Sequence, residues 1–232
     1  MAHTRQEIIN KAEEAKGNMS QFYKSNLIKN LSCNGKTRDT GEYYTEVICE
    51  WLMDRISLFD SIQEIDRKDG YNTLTHDGVI KNPDSNRHEE ILAMKMYNQS
   101  NMPLLGKVLD YQTPLKNVQD DKAGKIDLLA YNEDEKILRI LELKKSDNDE
   151  TMLRCVLEGY TYLKTVNTDT LLSSFKLPDK AAVKASPLVF YGGAQYKEMT
   201  EGRPKLEQLM KLLDCTPFYY AEESGKYDVC VK

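Results

Sequence analysis

The sequence lacks the features that membrane proteins, secreted proteins and zinc-binding proteins require. No apolar run approaches the roughly 18 residues that a membrane span needs, and the charged N-terminus lacks the apolar centre of a signal peptide. The five cysteines form no C-x-x-C pair, and the three histidines are not spaced as zinc ligands. These absences predict a cytoplasmic protein with reduced thiols, no membrane association and no structural zinc.

The sequence is also short of basic residues. It has 32 Lys and Arg against 37 Asp and Glu, and the net charge of −5 gives no overall attraction to nucleic acid. A chain of this charge that binds phosphate backbones would need a local basic groove. Its 232 residues, 40% hydrophobic and 30% charged, suit one large globular domain or a core with a smaller attachment.

Hydrophobic periodicity divides the chain into two parts. Residues 4–60 carry apolar steps of three and four that predict helices, and a polar stretch rich in Gly, Pro and Asn follows. We therefore expect an N-terminal helical extension or subdomain over 1–80 and an α/β core over 81–232. The core is predicted to contain helices at 87–100, 147–166 and 203–214, and strands at 106–116, 124–132, 136–145, 186–193, 217–223 and 227–232.

One predicted strand carries an unusual pair of charges. The segment ILRILELKK, 137–145, is apolar until Glu142 and Lys144, which share a face because successive strand side chains alternate. A four-residue turn makes the preceding strand its antiparallel neighbour, and that strand carries Asp127. Two carboxylates and an amine are thus expected to meet, which costs several kcal/mol if their charges are uncompensated. A divalent cation such as Mg²⁺, which takes oxygen ligands and water, would remove that cost.

The pattern of Asp127 followed by Glu-Leu-Lys at 142–144 resembles the motif of the PD-(D/E)XK nuclease superfamily. Ile126 stands where the family name has proline. The resemblance covers residues 87–193. It implies an α/β fold with a restriction-endonuclease-like core of order αβββαβ, in which helices flank a mixed central sheet. The N-terminal helical extension would lie outside this core.

The same resemblance implies roles for the motif residues. Asp127 and Glu142 would bind Mg²⁺, with Mn²⁺ as a substitute, and the backbone carbonyl of Leu143 would join them. Lys144 would orient or deprotonate the attacking water, or neutralise charge that grows on the phosphate. The expected activity is that of a Mg²⁺-dependent nuclease that hydrolyses phosphodiester bonds, with DNA favoured as the substrate.

Further residues are candidates for the same site. Many members of the superfamily carry another acid on the first core helix, where Glu89 and Glu90 compete. Because Asn86 is expected to be the helix N-cap, Glu89 is expected to form a capping box with it, and Glu90 becomes the favoured additional metal ligand. The candidate substrate-binding residues are Arg154, Tyr160 and Gln112.

Several of these assignments have a purely structural alternative. Glu142 and Lys144 can form a salt bridge on a half-exposed edge, worth roughly 0–1 kcal/mol. Arg154 can pair with Glu158 four positions later on the helix surface, and Tyr160 continues an apolar stripe.

The rival function is a non-catalytic module that binds nucleic acid or protein and retains the nuclease fold. The acidic net charge favours this alternative. The intact set of Asp127, Glu142 and Lys144 argues against it, because a binding module has no reason to keep a charge cluster in its core. The sequence leaves open whether the chain forms a homo-oligomer.

Overall fold

A computed structural model of the protein describes residues 2–65, 67, 69–116 and 124–231. No helix among these residues combines the length and the apolar character that crossing a membrane requires. The described α-helices are α1 (Arg5–Ala15), α2 (Asn26–Lys29), α3 (Tyr44–Met53), α4 (His88–Gln99), α5 (Met152–Thr165), α6 (Thr168–Ser174), α7 (Ala194–Thr200) and α8 (Pro204–Leu212). Two 3₁₀ helices span Met19–Lys24 and Ile56–Ser61.

The described strands form one mixed sheet in which every strand pairs with its neighbours in chain order. Pairing is antiparallel from β1 to β4 and between β6 and β7, and it is parallel between β4 and β5 and between β5 and β6. The parallel pairs are joined by crossovers that contain helices, as parallel pairing requires. The strands are β1 (Asn101–Met102), β2 (Gly106–Pro114), β3 (Lys125–Asn132), β4 (Ile137–Lys144), β5 (Ala182–Phe190), β6 (Phe218–Glu223) and β7 (Lys226–Cys230).

The two ends of this sheet meet, because β7 lies against β1. Gln99, at the end of α4, donates its side-chain amide to the Tyr227 carbonyl at 2.8 Å and accepts the Tyr227 N–H at 2.7 Å. The fold is therefore mixed α/β with a nearly closed, barrel-like sheet of seven strands. The predicted restriction-endonuclease-like core, with a mixed central sheet flanked by helices, is wrong. The C-terminal hairpin β6–β7 extends the sheet beyond β5 and carries it round to β1.

The two faces of the curved sheet pack against different helices. On one face, Ala93 and Met96 of α4 pack among apolar strand residues such as Leu128 and Leu141. On the other face, α5 and the N-terminal helices form a second apolar cluster over the strands. β4 is consequently buried on both faces along almost its whole length, so any charged group on it must find its partners inside the protein.

Some element boundaries differ from the sequence-based prediction. The predicted N-cap at Asn86 is wrong, because α4 begins at His88, one residue later than predicted, and Arg87 is its N-cap, without a side-chain capping bond. The strand predicted at 227–232 corresponds to β7, and Lys232 lies outside the described residues.

Candidate functional site

Strand register places three polar residues in a row across the sheet. Leu128 pairs with Leu141, so the next pair along the same ladder sets Asp127 opposite Glu142. On the other side of β3, the register between β2 and β3 sets Gln112 opposite Asp127. The side chains of Asp127 and Glu142 therefore share one face of the sheet, because residues directly opposite in a ladder point the same way.

The Asp127 carboxylate is held by one donor on each oxygen. The Gln112 side-chain amide donates to Oδ1 at 3.0 Å, and the Leu143 backbone N–H donates to Oδ2 at 3.0 Å. Since each carboxylate oxygen has two lone pairs, both atoms keep capacity for another partner. The structure thus places Gln112 at the site through Asp127, and it brings in Leu143 through its backbone N–H, whereas the predicted metal ligand is the Leu143 carbonyl.

Lys144 occupies the centre of an acidic pocket. Its ammonium lies 2.6 Å from Glu142 Oε1, 3.1 Å from Glu150 Oε2 and 3.8 Å from Glu158 Oε2. Lys144 is 5% exposed and Glu142 is 3% exposed. This is a buried ion pair, so the alternative of a weak salt bridge on a half-exposed edge does not describe it.

Burial dominates the electrostatics of the two strand acids. It raises the pKa of the Glu142 carboxyl well above its usual value, and repulsion from Glu158 adds to the rise. Burial also raises the pKa of Asp127 to about 7, against the opposing effects of Lys144 and the Leu143 N–H. Both acids would therefore ionise more readily if a further positive charge approached them.

For Lys144, in contrast to the two acids, the surroundings favour the charged form. Burial alone would lower the pKa of Lys144, but attraction to Glu142 and Glu158 outweighs burial, and the pKa is raised well above its usual value. Lys144 is therefore a fixed positive charge at neutral pH and does not supply a neutral amine.

The beginning of α5 adds two carboxylates that sequence analysis did not assign to the site, those of Glu150 and Glu158. Thr151 caps the helix by accepting the N–H of Arg154. The Arg154 guanidinium pairs with Glu150 Oε1 at 2.7 Å, so the predicted alternative of a pair with Glu158 is wrong. Glu158 instead faces Lys144. Glu150 contacts Lys144 with one oxygen and Arg154 with the other.

The tyrosine of α5 that contacts the charged cluster is Tyr162 and not the predicted Tyr160. Tyr160 packs edge-on against Phe59, with ring centroids 5.1 Å apart, and not against the charged cluster. Tyr162 donates its hydroxyl to Glu158 Oε1 at 2.7 Å. The four-residue spacing from Glu158 to Tyr162, which brings side chains together on a helix, is a signal that could have found this contact.

The acids at the start of α4 also differ from the expectation. Glu90 pairs with Arg87 at 3.3 Å and lines a separate cavity together with residues such as Thr75. Glu89 Oε1 accepts the Lys145 N–H at 3.4 Å and the Asn148 amide at 3.1 Å, just beyond the end of β4. Because the helix starts one residue later than predicted, the predicted capping box does not form, and Glu89 is the acid of α4 nearest the cluster.

The carboxylates of the cluster form a limited donor set for a metal ion. Among the described residues, no group of three or more His, Cys, Asp or Glu side chains is spaced to hold one. Mg²⁺ often takes only one or two carboxylates together with water and substrate oxygens, and Asp127 with Glu142 supplies two. Four carboxyl groups also face only two cations here, so ionisation of all four, which burial of Asp127 and Glu142 opposes, would leave a negative excess that a divalent ion compensates. The residues are Asp127, Glu142, Glu150 and Glu158 against Lys144 and Arg154.

No family model, curated protein or solved structure matches the chain.

Proposed function

We propose that the protein is a Mg²⁺-dependent nuclease that hydrolyses phosphodiester bonds in DNA. The observation that carries this proposal is that Asp127 and Glu142 follow the last β3–β4 ladder pair, Leu128 and Leu141, on one face of the sheet, with the Lys144 ammonium 2.6 Å from Glu142. The resemblance of these residues to the PD-(D/E)XK motif supports the same proposal. Mn²⁺ is expected to replace Mg²⁺, since both take oxygen ligands.

Asp127 and Glu142 are the residues that would hold the ion. When bound, Mg²⁺ polarises the phosphate and makes its water a better nucleophile. Asp127 is already oriented by the Gln112 amide and the Leu143 N–H, so its carboxylate needs little rearrangement to bind. Such preorganisation reduces the free energy that would otherwise be spent on ordering the site.

The surroundings of Lys144 bear on whether it acts as a general base or neutralises charge on the phosphate. Because its ammonium lies 2.6, 3.1 and 3.8 Å from three carboxylates, its protonated form is favoured, which disfavours removal of a proton from water. A fixed ammonium beside the carboxylates instead favours neutralisation of the negative charge that grows on the phosphate oxygens during hydrolysis. The structure therefore supports this role over the general-base role that the sequence left open.

Cleavage of circular and linear DNA in Mg²⁺ or Mn²⁺ tests the proposal. Asp127→Asn, Glu142→Gln and Lys144→Met should each lower the rate at least about 100-fold, as removal of a single transition-state contact commonly does. Glu90→Gln is the matched control, because it removes a carboxylate that lies at a different cavity. Cleavage that persists equally in Glu142→Gln and Lys144→Met would show that this cluster is not the catalytic site.

The non-catalytic interaction module is a second candidate, and the low exposure of Glu142 and Lys144 favours it. A buried cluster closed by ion pairs can serve structure alone. The two candidates differ in their response to metal, because a ligand that binds only the folded state raises its melting temperature. A melting temperature that millimolar Mg²⁺ leaves unchanged and Asp127→Ala raises would favour the module.

A further inference from the structure

A cavity lies between α1 and α2, with Tyr44 at the start of α3 forming part of its wall. Its volume is about 520 Å³, within the range of cavities that enclose a small molecule. None of its described lining residues belongs to the charged cluster around Lys144. A ligand held in this cavity would therefore occupy a site separate from the proposed catalytic centre.

One wall of the cavity is apolar. It is formed by Ile8 and Ala15 of α1 and by Leu27 and Leu31 of α2. Ile8 is buried, but the other three side chains are only partly covered by the protein. An apolar group that enters the cavity can remove their remaining surface from water, which favours binding.

The positive charge at the cavity belongs to Lys11, which is half-buried. Its ammonium lies 2.8 Å from His3 Nε2. Because an ammonium only donates hydrogen bonds, Nε2 must accept, and an imidazole that accepts through one nitrogen is neutral. The proton of His3 is then on Nδ1, which faces Glu7 at 3.7 Å. The hydrogen bond to His3 therefore leaves the charge of Lys11 unbalanced.

Lys11 differs in this respect from lysines of similar burial. Four other half-buried lysines each pair with a carboxylate, namely Lys145, Lys164, Lys184 and Lys205. Within the part of the chain that the structure describes, no carboxylate forms an ion pair with Lys11. Partial burial of an unpaired charge costs solvation free energy, and a carboxylate supplied by a ligand would offset that cost.

The negative charge at the cavity belongs to Glu14, an exposed residue one helical turn after Lys11. Residues three apart on a helix can form an ion pair, but no ion pair joins Glu14 to Lys11 or to another described residue. The cavity thus presents one positive and one negative charge beside an apolar wall. A simple anion would be attracted by Lys11 and repelled by Glu14, whereas a zwitterion can pair with both.

We propose that this cavity binds a free α-amino acid with an apolar side chain. The ligand carboxylate pairs with Lys11, the ligand ammonium pairs with Glu14, and the apolar side chain covers Leu27 and Leu31. The exposed side-chain amide of Asn26, which also lines the cavity, is a further donor for the carboxylate. This binding site goes beyond the proposed nuclease function and does not depend on it.

Isothermal titration calorimetry of the full chain with L-leucine tests the proposal. L-Alanine should bind at least about tenfold more weakly than L-leucine, because its side chain buries less apolar surface. Isocaproate is leucine without the ammonium, and isopentylamine is leucine without the carboxylate. Each of these two analogues should bind more weakly than L-leucine, since each leaves one charge of the cavity unpaired.

Two variants assign the binding to the charged residues. Lys11→Met should weaken leucine binding at least about tenfold, because a half-buried charged hydrogen bond is lost. Glu14→Gln should weaken it about two- to fivefold, since an exposed ion pair contributes less. Lys16→Met is the matched control, because Lys16 follows α1, pairs with Glu13 and does not line the cavity. It should bind leucine as the wild type does.

The comparison of leucine with its two analogues uses only the wild-type chain, so it decides the test even if Lys11→Met does not fold. Absence of leucine binding at millimolar concentration would overturn the proposal. Isocaproate or isopentylamine that binds as tightly as leucine would also overturn it, and so would wild-type affinity in a folded Lys11→Met variant.

Discussion

Lys144 and Glu142 lie two positions apart on β4, with their charged groups in contact inside the protein. Burying two such charges costs several kcal/mol each, and their attraction recovers this only when the geometry is good. Removing one partner of a buried pair commonly costs about 3–5 kcal/mol, since the other charge is left uncompensated. A pair this costly has a simple explanation if a third charge, from a metal ion, is needed at the same place.

The residue-scale prediction concerns pH. Burial raises the folded-state pKa of Asp127 to about 7, above the unfolded value of about 4. Between these two pH values the folded protein therefore binds more protons than the unfolded chain does. The metal-free protein should therefore lose stability as pH rises from about 4 to about 7. Asp127→Asn should flatten this dependence. Between the unfolded and the folded pKa of Asp127, the slope of the free energy of unfolding against pH should change by up to about 1.4 kcal/mol per pH unit.

Thermal unfolding in EDTA across this range measures the effect. Asp147→Asn is the control, because Asp147 is exposed and its pKa is lowered mainly by a hydrogen bond from Lys145. It should keep the wild-type slope. An unchanged slope in Asp127→Asn would show that this carboxyl ionises in the folded protein as it does in the unfolded chain.

The sequence predicts the centre of the site better than its periphery. Alternation along two strands and the length of their turn were enough to bring Asp127, Glu142 and Lys144 together. The choice between Glu89 and Glu90 depended on a helix start, which sequence patterns place only to within a few residues. Because the N-cap was predicted at Asn86, one residue before the observed N-cap Arg87, Glu90 was preferred to Glu89 as the acid of the site.

At the scale of elements, β2 contains an irregularity beside the site. Its register with β3 shifts between Val108 and Asp110, and Gln112 has a φ of 49°. This left-handed conformation costs a non-glycine residue roughly 1–2 kcal/mol. The same residue donates its side-chain amide to Asp127. We infer that the strained backbone is kept because it sets the position of this amide.

Gln112→Gly separates backbone strain from function. Glycine adopts the left-handed conformation without steric strain, which stabilises the folded state. It also makes the unfolded chain more flexible, which offsets this gain, so the free energy of unfolding should change by less than about 1 kcal/mol. DNA cleavage should fall at least about tenfold, since Asp127 loses one of its two donors. Both are measured on the same purified variant by denaturant unfolding and a cleavage assay.

Lys136→Gly is the matched control, because Lys136 has a φ of 57° in the turn between β3 and β4, at the opposite end of the hairpin from Asp127. It should leave cleavage unchanged. Wild-type cleavage by Gln112→Gly, or a loss of several kcal/mol in stability, would contradict the positioning role.

Most elements follow from local sequence patterns, but the closure of the sheet does not. Alternation and apolar steps predicted β2, β3, β4, β6, β7 and the helices α4, α5 and α8 near their observed positions, placed β5 about four residues too late, and missed β1, α6 and α7. Contact between β7 and β1, by contrast, joins residues more than 120 positions apart, through groups such as Gln99 and Tyr227. No local pattern encodes such a contact, so the architecture of the sheet was predicted wrongly although most of its strands were found.

At the scale of the whole molecule, the N-terminal helices share interactions with the C-terminal part of the chain. Glu46 of α3 accepts the N–H groups of Lys205 and Leu206 at the start of α8, both at 3.0 Å. Arg203 is fully buried, and its guanidinium lies over the Tyr43 ring. Separating the two parts would leave buried polar groups without partners, at a cost of about 1–3 kcal/mol each.

We therefore predict that the chain unfolds in one cooperative transition. Trp51 of α3 is the only tryptophan, so its fluorescence follows the N-terminal helices, while far-ultraviolet circular dichroism follows the whole fold. The two denaturation curves should coincide. A Trp51 transition at lower denaturant concentration would show that residues 1–80 form an independent subdomain.

The central claim is that Asp127 and Glu142 hold a divalent ion, and a Mn²⁺ titration followed by electron paramagnetic resonance tests it most directly. At pH 8, above the Asp127 pKa of about 7, the free Mn²⁺ signal should fall as the ion binds. Asp127→Asn and Glu142→Gln should abolish this loss, and Glu90→Gln should retain it. A free-ion signal that wild-type protein leaves unchanged at millimolar Mn²⁺, or that Glu142→Gln depletes as the wild type does, would contradict the claim.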